Sequence, residues 1–288
     1  MADKAENIVE NEFFTEHKRL VARVKTAFYE EYLQQWNVML QGMGHQDKSD
    51  SVWLMFSSNY MFSMGGVFWA LDPVHPGHLA EEFKGKATID PLKQLDFVIV
   101  SHEHPDHADF ELVGKLIEAG VPVYAPQALC ERSLKNATPA LPDVPIIYDD
   151  IKITPFAGWH FEVPPTGKEA LGFLIEKNGK KMLFPGDTRF YVQDALKPFA
   201  PVDFLFAHFW LGRTLIKPPD PTAVEEFCDF MLSSQPANMV CTHMYEFIFH
   251  PVTDVWTDFH VGLVKECLKA RKSKTQITVP KFGERILL

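Results

Sequence analysis

Three histidines and an aspartate fall within six positions: His102, His104, Asp106 and His107, in the run Ser101-His102-Glu103-His104-Pro105-Asp106-His107. Imidazoles crowded together gain nothing from burial unless something positive sits between the rings. A transition-metal ion fills that role, and neutral imidazole nitrogens and carboxylate oxygens are among its ordinary ligands. In extended backbone, residues two apart point the same way, so His102 and His104 can reach one ion together. Asp106 and His107 lie where the chain turns. They face another direction and can serve a second ion roughly 4 Å away.

The elements that must position this run can be read on either side of it. Phe97 to Val100 is apolar, uninterrupted and β-branched or aromatic, which predicts a short buried strand. Asp109 to Gly120 predicts a helix, with Phe110, Leu112, Val113, Leu116 and Ile117 forming an apolar face and Gly120 a stop. The histidines therefore sit in a loop between the carboxyl end of a strand and a helix.

His102-X-His104-X-Asp106-His107 resembles the signature of the metallo-β-lactamase fold superfamily of metallo-hydrolases. The resemblance covers roughly Val52 to Leu288. It implies an α/β fold, a four-layer αβ/βα sandwich of two similar halves, with the site where strand-end loops converge at one edge of both sheets. It also implies the rest of a ligand set. His160 follows the small-residue turn Phe156-Ala157-Gly158-Trp159. Asp187 stands in Phe184-Pro185-Gly186-Asp187-Thr188, and His243 follows the apolar run Met239 to Cys241. The implied assignment is His102, His104 and His160 on one ion and Asp106, His107 and His243 on the other. Asp187 stands between them, one oxygen to each. Apart from the resemblance, Gly186-Asp187-Thr188 reads as a turn with an aspartate in it. Asp72, in Leu71-Asp72-Pro73, is implied to orient a ligand histidine from behind. The same residues also read as a strand-terminating Asp-Pro turn.

Neutral imidazoles and carboxylates suit zinc, manganese or iron, with zinc the default. Two divalent ions flanking one water lower its pKa, so that a metal-bound hydroxide is available at neutral pH. The function implied is metal-dependent hydrolysis of an ester, lactone or phosphoester bond in a small molecule. Within the superfamily the His160 to Thr188 segment looks most like the lactonase-type branch that includes L-ascorbate 6-phosphate lactonase. Asp106 can orient the nucleophile or protonate the leaving group. His208, after another strand, either donates to a developing oxyanion or is a hydrogen-bonded positioning histidine. Candidates for substrate contact are Trp159, Arg189, Arg213, Lys217 and His250; His75 and His78 are rim or surface residues. A nuclease or phosphodiesterase of the same fold is one alternative. A di-iron redox enzyme is another, against which His104 counts, since such relatives carry Glu there. A non-enzymatic metal-binding or sensing protein is the third.

The remaining chain supplies the frame. Residues 1–50 are expected to form a helical extension, with the hydrolase domain over 51–288. Within the extension, Leu20, Val24, Phe28 and Tyr32 recur at helical spacing from about Ala5 to Leu40. Such a face packs on the domain, or forms a lid or dimer contact of a homo-oligomer. Strands are expected at Val52–Phe56, Val67–Leu71, Val121–Tyr124, Ile146–Tyr148, Ile151–Thr154, Asp203–Ala207 and Met239–Cys241. A hairpin is expected around Asn178-Gly179. Helices are expected at Ala128–Asn136, Pro221–Leu232 and Thr253–Arg271, and one or two terminal strands at Gln276–Leu288. With 288 residues, 46% hydrophobic and 23% charged, the chain is an ordinary globular sequence, and its 24 Phe predict an aromatic core. A net charge of -10 gives no encouragement for nucleic acid or anionic membrane. Cys130, Cys228, Cys241 and Cys267 have no paired spacing and read as thiols of a reducing compartment. The polar start reads as no signal peptide, and no run approaches the ~20 apolar residues of a membrane span. The expected location is cytoplasmic, and the expected partner is a small-molecule substrate.

Overall fold

Alternation along the central strands sends side chains into separate cores, and this decides the layering. The computed structural model describes residues 29–43, 49–79, 83–160, 169–212, 219–244 and 256–288. One sheet contains β1 (Ser51–Leu54), β2 (Tyr60–Met64), β3 (Val67–Leu71), β4 (Phe97–Ile99), β5 (Val123–Ala125), β6 (Thr138–Pro139) and the late strand β14 (Glu284–Leu287), which pairs with β1. The second contains β7 (Ile146–Tyr148), β8 (Ile151–Ala157), β9 (Leu171–Lys177), β10 (Lys180–Phe184), β11 (Val202–His208), β12 (Pro236–Thr242) and β13 (Gln276–Thr278). On β1, Val52 and Leu54 face the second sheet while Trp53 faces outward; on β3, Trp69 and Leu71 face it while Ala70 does not. Met182 and Phe184 answer from β10, with Leu183 turned to the far side.

Helices cover the two outer faces. α1 (29–43), α3 (Phe110–Glu118) and α4 (Gln127–Arg132) pack on the first sheet; the single turn α2 (Pro76–Leu79) precedes α3. α5 (Pro221–Leu232) and α6 (Asp258–Ala270) pack on the second sheet. The order helix, sheet, sheet, helix is the four-layer α/β sandwich expected. No described helix is long and apolar enough to cross a membrane. Aromatic residues fill the central core: Phe62, Trp69 and Phe97 stack across β2, β3 and β4 in register, with ring centroids 3.8 and 5.0 Å apart.

The topology aims one edge at the chemistry. β3, β4 and β5 run parallel, as do β10, β11 and β12. Their carboxyl ends, where α/β sheets hold ligands, therefore lie together. Asp109 caps α3 by accepting from the Leu112 N–H, and this fixes where the preceding histidine loop ends. Asn178 and Gly179 both have positive φ, 51° and 78°, as a two-residue type I′ hairpin turn requires.

Two elements depart from expectation. β2 was not foreseen: Gly65-Gly66 is the turn of a β2–β3 hairpin, not a simple break. Tyr60–Met64 has no β-branched residue and is interrupted by Ser63, so neither a β-branched run nor a clean alternation announces a strand. β8 runs on to Ala157 through Pro155, which pairs with Phe173 of β9 beyond the stretch that β7 covers. There a missing N–H disturbs no ladder. Of the stretch from about Ala5 to Leu40 expected to be helical, only the part from Tyr29 on falls among the described residues, and it is helical. Its inner face is built into the core. Tyr32 and Trp36 are buried, the Tyr32 hydroxyl donates to the Val74 carbonyl at 2.9 Å, and the Trp36 indole N–H donates to Thr88 O at 3.3 Å. Trp36→Ala should therefore destabilise the protein by about 3–5 kcal/mol, as large-to-small changes at buried aromatics do. Chemical denaturation of the metal-free protein checks this; a loss below about 1 kcal/mol would show that α1 only rests on the domain.

Candidate metal centre

The loop after β4 brings His102, His104, Asp106 and His107 to the shared edge. β8 leads to His160, β10 to Asp187, β11 ends in His208 and β12 leads to His243. Candidate ligand atoms fall into three groups, each within 4.8 Å: His102, His104, His160 and Asp187; Asp106, His107, Asp187 and His243; and Asp72, His102 and His107. Asp187 belongs to the first two. Its Oδ1 lies 3.1 Å from His107 Nε2 and 2.8 Å from His243 Nε2, while Oδ2 lies 3.7 Å from His102 Nε2 and 4.0 Å from His160 Nε2. His160 Nε2 is 3.0 Å from His104 Nδ1.

These positions are held from behind. Asp72, at the end of β3, is 2.7 Å from His107 Nδ1 and accepts from the Ser101 N–H and hydroxyl at 2.6 and 2.5 Å. With Nδ1 engaged there, His107 turns Nε2 toward Asp187. Ser101 Oγ also lies 3.0 Å from His102 Nδ1, leaving His102 Nε2 on the Asp187 side. His208 is committed through Nδ1 to the Thr188 backbone, whose N–H donates to it at 2.6 Å, and its ring lies 4.2 Å from that of His243. Trp159 and Arg189 meet at the same edge, the Arg189 N–H donating to the Trp159 carbonyl at 2.9 Å. Arg213, Lys217 and His250 lie outside the described residues. His75 and His78 sit around Asp109, with His78 Nε2 2.9 Å from the Pro105 carbonyl oxygen, and neither belongs to a ligand group.

One part of the site was not anticipated. The turn between β1 and β2 passes under the second group. Ser57 Oγ lies 3.0 Å from His243 Nδ1 and donates to Asp106 Oδ2 at 3.4 Å; Asn59 Nδ2 donates to the Asp106 carbonyl at 2.7 Å. The only signal in the sequence was a polar Ser-Ser-Asn between apolar runs, which says turn and nothing more. Ser57, Asp72 and His243 all adopt left-handed backbone, with φ of 53°, 53° and 60°. Three such residues within one site are strain that the surrounding hydrogen bonds must hold.

The electrostatics fit metal ions. Burial keeps the His102 and His208 rings well below the usual imidazole range, and takes His160 down to about 3. Such rings are neutral, as a metal ligand must be. Burial would lower His107 too, but Asp187, Asp106 and Asp72 outweigh it and hold the ring well above its usual range. Burial would raise Asp187, yet His107, His243 and His208 keep it well below the carboxylate range. The cluster thus holds a buried anion that needs positive charge. His107 Nε2 and Asp187 Oδ1 are buried and, though close, do not meet in hydrogen-bonding geometry. The spacings of 2.8–4.0 Å around Asp187 bracket the ~3.3 Å between two ligands of one tetrahedral ion. Donor type, burial and spacing all suit divalent metal.

The glycine before Asp187 and the proton on His107 can each be tested. Gly186 has φ +70°, and an added Cβ would stand 2.7 Å from the Leu171 carbonyl oxygen. Gly186→Ala should lower stability by about 1–3 kcal/mol and weaken metal uptake by displacing Asp187. Denaturation and metal titration read the two effects, and unchanged uptake would show that Asp187 tolerates the shift. Because the carboxylates hold a proton on His107 in the metal-free protein, metal binding at its group must expel that proton. Uptake should strengthen as pH rises through the raised His107 range and weaken as pH falls. Calorimetry in buffers of different ionisation heat measures the proton released.

Comparisons with known proteins agree with this geometry. Residues 71–244 match a family model described as a beta-lactamase superfamily domain. None of the curated proteins matches the sequence significantly. Among solved structures, a metallo hydrolase from the archaeon Ignicoccus hospitalis superposes with a TM-score of 0.60 at 18% identity, covering 83% of this chain and 98% of its own. An isothiocyanate hydrolase from Delia radicum gut bacteria gives 0.57 at 19% identity, covering 83% and 98%. CmlA, a diiron β-hydroxylase from Streptomyces venezuelae, gives 0.59 at 13% identity, covering 84% of this chain and 55% of its own. At these identities the likeness is one of fold.

Proposed function

The chain belongs to the beta-lactamase superfamily, and we propose that it is a binuclear metal-dependent hydrolase cleaving an ester, lactone or phosphoester bond in a small molecule. The observation that carries this reading is Asp187, whose two carboxylate oxygens face different histidine groups. His102, His104 and His160 would hold one divalent ion and Asp106, His107 and His243 the other, with Asp187 shared. Zinc is the default, manganese and iron the alternatives. When bound, the ions supply an activated water and polarise the scissile group.

The chain's own residues do the rest. Asp72 keeps His107 in the tautomer that offers Nε2. Asp106, 20% exposed against 3% for Asp187, is the more open carboxylate. It is placed to take a proton from water and return it to a leaving group. His208, bound to the Thr188 backbone, is assigned to positioning the Asp187 loop, not to touching substrate. The hydrolases among the structural neighbours support hydrolysis, and a small lactone of the lactonase-type branch is the first substrate to try. The di-iron hydroxylase makes oxygenase chemistry the competing outcome.

The test is elemental analysis of protein purified without chelator, with a screen of lactones, esters, phosphodiesters and β-lactams. Roughly two equivalents of metal and chelator-sensitive hydrolysis, restored by metal, are expected. Under about half an equivalent after reconstitution would sink the reading. His104→Ala should weaken one site and leave the other partly occupied. Asp187→Ala should do more damage, leaving at most one tightly held ion, because it removes the negative charge that offsets the repulsion of two cations ~3.5–4 Å apart. Two retained ions and near-normal turnover in Asp187→Ala would show that this carboxylate is not shared.

A further inference from the structure

Beside the His102, His104 and His160 group stands a cation with no anionic partner among the described residues. Arg189 lies two residues beyond Asp187 and is partly buried. Its guanidinium sits over the Trp210 ring, 4.9 Å from the centroid. Its Nε is buried and makes no hydrogen bond. Its backbone N–H reaches the carbonyl of Trp159, the residue before His160, and it follows Asp187 by two residues, so the side chain springs from beside the first ligand group.

The position is prepared before any ligand arrives. The Arg189 N–H donates to the Trp159 carbonyl. The neighbouring Thr188 N–H donates to His208 Nδ1, and the Tyr191 hydroxyl donates to the Trp210 carbonyl. Residues 188–191 are thereby tied to the exit of β11, which carries the ring under the guanidinium. A side chain fixed in this way loses little freedom on binding. Cation–π contact with Trp210 leaves the edge of the guanidinium unused, and its forked N–H donors match the paired oxygens of a carboxylate or phosphate. At a net charge of -10 the chain as a whole does not attract anions, so a local cation has to do so.

We propose that Arg189, braced on Trp210, selects substrates that carry an oxyanion group, carboxylate or phosphate, and seats that group beside the first ligand group. The proposal rests on reading the cluster as a hydrolase centre and names the substrate class of that centre.

Binding measured without turnover tests it. Wild type, Arg189→Gln and Arg189→Lys, loaded to equal zinc content, are titrated calorimetrically with benzoate, phenylphosphonate, which has no ester bond to cleave, and neutral benzamide. The dissociation constants of both anions should rise at least about tenfold in Arg189→Gln, the scale of one charged hydrogen-bonded contact. The rise should be smaller in Arg189→Lys, which keeps the charge but not the fork, and benzamide should bind alike throughout. Whichever anion loses more in Arg189→Gln identifies the group selected. Anion affinity unchanged in Arg189→Gln would overturn the proposal, since the anions would then rest on the zinc ions alone. An equal loss for benzamide would overturn it too, by showing a packing effect. If Arg189→Gln does not fold, anion affinities in Arg189→Lys equal to wild type decide against the fork. Arg189-dependent anion binding in a protein that hydrolyses nothing would leave this proposal standing and remove the hydrolase reading. Hydrolysis of neutral and anionic esters with the same KM in wild type and Arg189→Gln would do the reverse.

Discussion

Burying the Asp187 carboxylate is the constraint that the rest of the centre answers. An ionised carboxylate out of water costs several kcal/mol unless charge and hydrogen-bond donors surround it. Here imidazoles stand on both of its oxygens, and they come from both sheets. His102 and His107 arrive from the loop after β4, and His160 and His243 from the ends of β8 and β12. No single half of the chain can satisfy Asp187. The halves are joined where this demand is made. Leu171 N–H donates to the Ser101 carbonyl at 3.1 Å, and His243 N–H to the Ser57 carbonyl at 3.0 Å, each bond crossing from one sheet to the other. The left-handed backbone of Asp72 and His243 is tolerable for the same reason, since strand pairing on one side and site contacts on the other leave the chain nowhere else to go.

The run from His102 to His107 was legible because its chemistry is rare: three histidines and an aspartate within six positions have few roles besides holding a metal, whereas His160, Asp187 and His243 were picked out only through the resemblance. The flanking strand β4 was legible as an uninterrupted run of β-branched and aromatic residues, and α3 because its single apolar face leaves a helical period. β2 was not, since Tyr60–Met64 contains no β-branched residue and is interrupted by Ser63. The partnership of Asp72 with His107 joins the end of β3 to the loop after its neighbour β4, across 35 residues of sequence, and the residues alone allowed Asp72-Pro73 to be a turn; only the resemblance suggested its role. Ser57 and Asn59 were invisible for a different reason. Serine and asparagine occur in most turns, and nothing local says which turn will lie beneath an imidazole. Tyr32 and Trp36 were recognisable as part of an amphipathic stretch, but such a face does not name what it packs on. The structure supplies the partners, Val74 and Thr88 on the path from β3 into the site edge.

The pairing of β14 with β1 bears on how the protein is made. Ser51 finds its partner at Leu287 and Leu54 at Glu284. During vectorial synthesis β1 to β6 can emerge and collapse on their helices, but one flank of β1 must wait for Glu284–Leu287, translated long after the rest of its sheet. Until then it presents unpaired N–H and C=O groups beside an apolar surface, the kind of edge that recruits strands from other chains. Such long-range closure also slows folding, because loop entropy is spent before the contact forms. Nascent chains stalled short of residue 284 would therefore be the species most in need of a chaperone. Conditions that slow late translation would raise aggregation without touching the stability of the finished fold.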